Sequence, residues 1–326
     1  MELALYISKI EHLEQLDETL RTVDISNMEP NIKDVFFGRN KNAMEYQAHL
    51  MTLSQMIEVF GEPLDFQRCY FGQEFCQNLI PDNETLQTVY YYTKQFGWEF
   101  TYVTPGVLTD EGMARIREHL TFLASEAPAT EVVVNNYGTW YLLAMAFPNL
   151  TPVLGRMLVK QKRLARYVNK SLPITMEQIS SEEKTITDNQ LKALQSLNLS
   201  IPAYRRELAE RGVQRIDIDI VPQGVKVPQD CWGFGLSCYY PWTYVTSGRN
   251  CLTAAARHAR HEYVVDETPC GQLCRNQNTT SWVRNADIPI LERGNSVFLL
   301  NHGFAEWYIA GNIPIDRVVY TPYIPL

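Results

Sequence analysis

Glu131-Val-Val-Val-Asn-Asn-Tyr-Gly-Thr-Trp-Tyr-Leu-Leu-Ala-Met-Ala-Phe-Pro-Asn-Leu-Thr-Pro-Val-Leu-Gly155 is the stretch on which the reading of the fold turns. Glu131–Val134 is a nearly pure β-branched run, the composition of a strand covered on both faces. Thr139–Phe147 reads as a short apolar helix, and Thr151–Gly155 as a second strand. A strand, a helix and a strand in so short a space form the unit of a parallel sheet with helical crossovers.

The same alternation runs outward in both directions. Upstream, Leu3–Ile7 is an apolar strand ahead of the acid-rich, helical IEHLEQLDETLRTV. Val35–Phe37 and Asp65–Gly72 are further strand candidates. Asp82-Asn-Glu84 opens a helix carrying Leu86, Val89, Tyr90 and Phe96, which Gly97 stops. Trp98–Val103 alternates as a strand, and Asp110 caps a helix with Met113, Ile116, Leu120 and Leu123 on one stripe. Downstream, Thr187–Gln190 has the form of a capping box, Pro202 and Gly212 bracket a helix, and Arg215–Ile220 alternates strictly. Strands near 3–7, 66–71, 98–103, 131–135, 151–155 and 214–221 are therefore expected parallel in one sheet, with ERGNSVFLLN and IDRVVYTP adding the last. The fold class is α/β, a TIM-like (β/α) barrel formed by one domain over residues 1–326, with a doubly wound open sheet as the alternative.

Composition sets the frame for function. At 45% hydrophobic and 20% charged residues the chain has the make-up of a globular protein. Its net charge of −8 gives no help in neutralising phosphates, so nucleic acid is an unexpected partner. No signal peptide and no membrane span are read, and a cytoplasmic location is expected. Neither GxGxxG after a strand nor a Walker A sequence is present, nor a GxSxG elbow or an HExxH helix.

The chemistry concentrates in cysteine. Cys231, Cys238, Cys251, Cys270 and Cys274 all fall between Cys231 and Arg275, and Cys69 and Cys76 lie far upstream. Thiolate sulfur suits iron–sulfur clusters, zinc or Cu(I), each needing about four ligands at one point. There is no CxxC of a zinc ribbon, and Gln277 stands where the last cysteine of a CxxxCxxC would be, so the radical-SAM pattern fails. A cysteine can also serve simply as a small buried apolar residue.

Four features in order, YFGQEFC ending at Cys76, IDIDIVPQG ending at Gly224, SGRNC ending at Cys251 and CGQLCR ending at Arg275, resemble peptidase family U32, the collagenase-like proteins. The nearest likeness is to its UbiV-like iron–sulfur branch, which acts in oxygen-independent ubiquinone biosynthesis. The strand–Asn–Gly–helix segment at Glu131–Leu143 adds to it. The resemblance implies a barrel with a cysteine-rich C-terminal insertion, residues 231–275, binding a 4Fe–4S cluster through Cys76, Cys251, Cys270 and Cys274. It implies hydroxylation of a small aromatic or quinone-precursor substrate, and a heteromeric complex with another family member. Two departures stand out: Tyr244 occupies a position usually held by cysteine, which leaves Cys238 as an alternative fourth ligand, and Gln223 replaces a histidine. Zinc is the alternative metal, and a peptidase or a non-catalytic scaffold the alternative function.

Other groups are candidates on chemistry alone. Asp217 and Asp219 alternate with isoleucines, so both should point into the barrel, either as acid/base groups together with Arg249 or as partners of Arg249 or Arg215 in an ion pair. His258 and His261 sit between the cysteine motifs on a helix-like RHARH, and His302 falls at a strand end. Lys160–Arg166 is a basic cluster suited to a solvated face or a phosphate contact.

Overall fold

Glu131–Val134 and Thr151–Leu154 lie parallel and side by side, and they are two of eight strands that close a barrel. The computed structural model describes residues 1–13, 41–163, 188–221, 223–255, 270–275, 279–282, 289–301, 303, 308 and 313–326. Its strands are β1 (Glu2–Ile7), β2 (Phe66–Gly72), β3 (Glu99–Val103), β4 (Glu131–Val134), β5 (Thr151–Leu154), β6 (Arg215–Asp219) and β7 (Gly235–Tyr240). They continue with β8 (Trp242–Ser247), β9 (Thr279–Trp282), β10 (Pro289–Arg293), β11 (Ser296–Leu300) and β12 (Arg317–Tyr320). The barrel runs β1-β12-β7-β6-β5-β4-β3-β2, every pair parallel. The other four strands form an antiparallel sheet in the order β8-β11-β10-β9.

The described helices are α1 (Lys41–Phe60), α2 (Asn83–Gln95), α3 (Asp110–Glu126), α4 (Tyr137–Ala146), α5 (Asp188–Gln195), α6 (Pro202–Glu210) and α7 (Leu252–Ala255). Asp82 caps α2 as expected, its Oδ1 accepting from Thr85 N at 2.8 Å. On α3 the cap is Thr109 rather than Asp110, because the Thr109 hydroxyl accepts from Gly112 N and leaves Asp110 inside the first turn. None of the described helices is long and apolar enough to cross a membrane. Val35–Phe37 and most of the helix expected after Ile7 lie outside the described residues.

Two-residue alternation sorts the barrel into an inside and an outside. Ala4, Tyr6, Tyr70, Val103, Val133, Val153, Tyr239 and Val319 form the interior apolar cluster. Their strand neighbours Leu5, Phe71, Val132, Ile216, Cys238 and Val318 join the larger core beneath the helices. At the N-terminal ends of the strands Arg317 closes the barrel, donating to Glu131 Oε2 (2.6 Å), Glu2 Oε2 (2.6 Å) and the Tyr70 hydroxyl (2.7 Å).

Two expectations change. ERGNSVFLLN adds no barrel strand: it folds as the β10–β11 hairpin, with Arg293 opposite Ser296 and Gly294 in the turn at φ +58°. A two-residue turn returns the chain antiparallel, whereas a barrel neighbour needs a crossover. The cysteine-rich segment is not wholly an insertion either, since Gly235–Tyr240 within it is barrel strand β7. The antiparallel sheet packs Trp242, Tyr244, Leu291, Phe298 and Leu300 against Phe75, Leu79, Ile324 and Leu326, beside the C-terminal ends of the barrel strands.

Candidate functional site

Three stretches bring cysteines toward one another. Cys76 follows the end of β2 and precedes the 3-10 turn Gln77–Leu79. Cys251 directly precedes α7, and Cys274 lies in the 3-10 turn Leu273–Arg275, four residues after Cys270. Burial pushes the Cys76 thiol up to about 12; a hydrogen bond from the Asn78 backbone opposes this, and the charges of Cys274, Cys270 and Cys251 add to it. Cys274 is raised in the same way, by burial and then by Cys251 and Cys270. The loops that bear them are joined by Gln272 donating to Asn78 O at 2.7 Å and by Leu252 N donating to Gly294 O at 2.7 Å. All seven cysteines are free. Among the described residues, no three His, Cys, Asp or Glu side chains stand as the ligands of a single metal ion.

The surroundings of these thiols suit an anionic sulfur centre. Ala254 N lies 3.4 Å from Cys251 Sγ and donates to it. Arg293 and Lys9 act on Cys274 in favour of its thiolate. Gly294 leaves room: a Cβ there would stand 3.3 Å from Cys274 Cβ and 3.6 Å from its Sγ. Lys9 is itself lowered to about 8, by burial and then by Arg293, with Arg275 adding to the effect. The nearby His12 falls to about 3, from burial first and then the three cations Lys9, Arg293 and Arg275. Lys9, Arg275 and Arg293 thus gather near Cys274, Arg293 being paired with Glu45, and a soft, negatively charged occupant would balance the remaining cations.

Cys238 is placed elsewhere. It sits on β7 opposite Ile218 and Val318, fully buried in the core outside the barrel wall. Burial, then Asp219, raises its thiol well above the ordinary range. Cys69 on β2 and Cys231 before β7 are buried in that same core. Tyr244 donates to Arg156 O (3.1 Å), and Gln223 donates to Lys162 O.

The two inward aspartates meet different partners from those expected. Asp219 accepts from Arg156 Nη1 at 2.7 Å and from Arg163 Nη2 at 2.6 Å, rather than pairing with Arg249 or Arg215. Arg156 also reaches Glu74 Oε2 at 2.5 Å and Trp242 O at 2.9 Å, with its guanidinium 4.1 Å from the Tyr239 ring centroid. Arg156, Glu74 and Asp219 are all at 0% exposure. Asp217 accepts from the Tyr239 hydroxyl at 3.0 Å, and its Oδ1 has no partner. Burial raises it to about 7, against the pull of Arg317. Arg249 stands exposed in the loop after β8, and Arg215 pairs instead with Asp316. A solvent-borne substrate does not reach either aspartate in this arrangement. His258, His261 and His302 lie outside the described residues, as does the basic cluster beyond Arg163.

Glu74 and Arg156 escape a reading of the sequence because no spacing links them, and Arg163, read within Lys160–Arg166 as part of a solvated face or phosphate contact, instead pairs with buried Asp219. The usable signal is position: Glu74 follows Gly72 at the end of β2, and Arg156 follows Gly155 at the end of β5. Gly155 is demanded by Asn135, whose Oδ1 would lie 2.2 Å from an added Cβ and accepts from Met157 N.

No family model matches the chain, and no curated protein matches it. Among solved structures, a glycoside hydrolase family 18 N-acetylglucosaminidase from Paenibacillus barengoltzii aligns over 98% of this chain and 94% of its own, at 8% identity and a TM-score of 0.30.

Proposed function

We propose that this chain is an iron–sulfur protein in which Cys76, Cys251, Cys270 and Cys274 hold a 4Fe–4S cluster, and that it takes part in oxygen-independent hydroxylation, or a related modification, of a small aromatic or quinone-precursor molecule. The observation carrying the metal reading is that the cysteine-bearing loops touch: Gln272, between Cys270 and Cys274, donates to Asn78 O at 2.7 Å just after Cys76, and Leu252 N, next to Cys251, donates at 2.7 Å to O of Gly294, which lies against Cys274. The reaction and substrate class rest on the resemblance of those motifs to the U32 family, as do a cytoplasmic setting and a heteromeric partner from that family. A bound cluster would supply electron transfer or an iron site at the barrel rim. The chain's own groups would balance its charge and tune it, through Lys9 and Arg293 and through N–H groups directed at Cys251 and Cys76. The peptidase alternative asks for a depressed, reactive thiol, whereas burial drives Cys76 and Cys274 upward.

Anaerobic purification followed by iron and acid-labile sulfide analysis tests the reading. We expect about four of each per chain. Cys76→Ala should lose the iron, and Cys238→Ala should keep it. Stoichiometric zinc without sulfide would replace the cluster by a tetrahedral zinc site.

A further inference from the structure

We propose that the cavity between the loops after β1 and β2 binds a small organic anion with an apolar body and holds it beside the cysteine site. The cavity is about 590 Å³, within the range of small-molecule sites. It opens at the C-terminal ends of the barrel strands, where such barrels bind their ligands.

Its lining is divided by character. Phe71, Leu79 and Ile80, all buried, supply an apolar wall. Lys9, Arg115 and Arg275 supply three cations. Two carboxylates also line it, but Asp82 is engaged in capping α2 and Glu11 is exposed. Among the described residues Arg115 has only an exposed pairing with Glu111 at 3.3 Å, which holds it weakly. Among the described residues Lys9 Nζ gives one hydrogen bond, to Arg275 O at 3.3 Å, and an ammonium has three to give.

Two buried polar atoms of this lining have no partner at all: Ser8 Oγ and Arg275 Nε. Ser8 is only 8% exposed. An oxyanion answers the excess of cations that Lys9, Arg115 and Arg275 bring to this lining. A neutral ligand would leave the charges unanswered, and an inorganic anion would leave the apolar wall uncovered. The shared chemistry is thus a carboxylate or phosphate monoester on an apolar, ring-sized body.

The cavity wall is made from the cysteine-bearing segments themselves. Gln272, between Cys270 and Cys274, donates to Asn78 O at 2.7 Å, and Asn78 lies just after Cys76. The ligand is therefore held beside the segments that carry Cys76, Cys270 and Cys274. Its role as substrate rests on the iron–sulfur reading; its binding does not.

Calorimetric titration of the anaerobically purified chain with benzoate, phenyl phosphate, benzyl alcohol and inorganic phosphate tests this. At least one of the two aryl anions should bind at least about tenfold more tightly than both benzyl alcohol and inorganic phosphate, the scale of one charge-assisted hydrogen bond. The tighter of the two aryl anions identifies the headgroup. Arg115→Gln and Lys9→Gln should each weaken it by about tenfold, with unchanged circular dichroism. Benzyl alcohol binding as tightly as both anions, or affinity unmoved in both variants, overturns the proposal. Iron and sulfide measured on the same sample separate the two readings. Anion binding without iron keeps the cavity and removes the cluster, and a full cluster without anion binding does the reverse.

Discussion

Arg156 and Arg275 stand near the same end of the barrel under opposite conditions. Arg156 is fully buried and surrounded by carboxylates, carbonyl oxygen and aromatic faces. Arg275 lines an open cavity with Lys9 and Arg115, and its buried Nε has no partner. In the interior, charge is matched group by group and closed off from water. At the rim, positive charge is in excess and accessible. A buried, paired charge specifies a fold, whereas an exposed surplus beside a cavity specifies a ligand.

The most forceful way to break this comparison is Arg156→Leu. It strands Glu74 as a buried anion, leaves Asp219 with Arg163 as its cation, and should cost about 3–5 kcal/mol in urea unfolding. Arg115→Gln at the rim should move stability by no more than about 0.5 kcal/mol. Similar costs for both would show that the interior network is solvated after all.

Asp217→Asn sharpens the contrast by pH. The folded-state pKa is raised to about 7, so the native state holds a proton that the unfolded chain releases near 3.9. Between those values the unfolded state binds fewer protons, and stability falls as pH rises. The wild type should lose up to roughly 4 kcal/mol between pH 4 and pH 7 from this group. Asp217→Asn should flatten that part of the profile in parallel denaturant titrations and be the more stable protein at pH 8.

Smaller effects separate the cysteines. Cys238→Ala removes a fully buried sulfur from the outer core and should cost about 1–2 kcal/mol whether or not metal is present. Cys76→Ala should matter for stability mainly when metal is bound, so a chelator should narrow its difference from the wild type. An equal loss in both, with and without chelator, would place Cys76 in the core as well. Gly294→Ala should cost about 1 kcal/mol from its φ of +58°, and it crowds Cys274 at 3.3 Å. A drop in retained iron in that variant would tie the turn to the cysteine site.

Much of the architecture was legible in local pattern. The runs at Leu3–Ile7, Glu131–Val134 and Arg215–Asp219 became barrel strands because β-branched and alternating residues satisfy a wall packed on both sides. Helix α2 began after Asp82 because a carboxylate at that position accepts the free N–H groups of the first turn. Gly235–Tyr240 was obscured by the cysteine motifs around it, although Ser237 and Tyr239 alternate inward as barrel residues do.

The sequence by itself determined which residues are strand, helix and thiol, because backbone preference and side-chain period are local properties. It also carried three cysteines of the candidate site in two short motifs. The fourth candidate, Cys76 with Cys238 as the alternative, rested on resemblance, and barrel closure decided where each of the two stands in the fold. Closure carries the end of β2 toward the Cys270–Cys274 turn and turns Cys238 outward under the helices. The partners of Asp219 were likewise decided by closure, which brings the ends of β2, β5 and β6 to one point. No local rule encodes such meetings, because they depend on the order in which distant strands pair around the barrel.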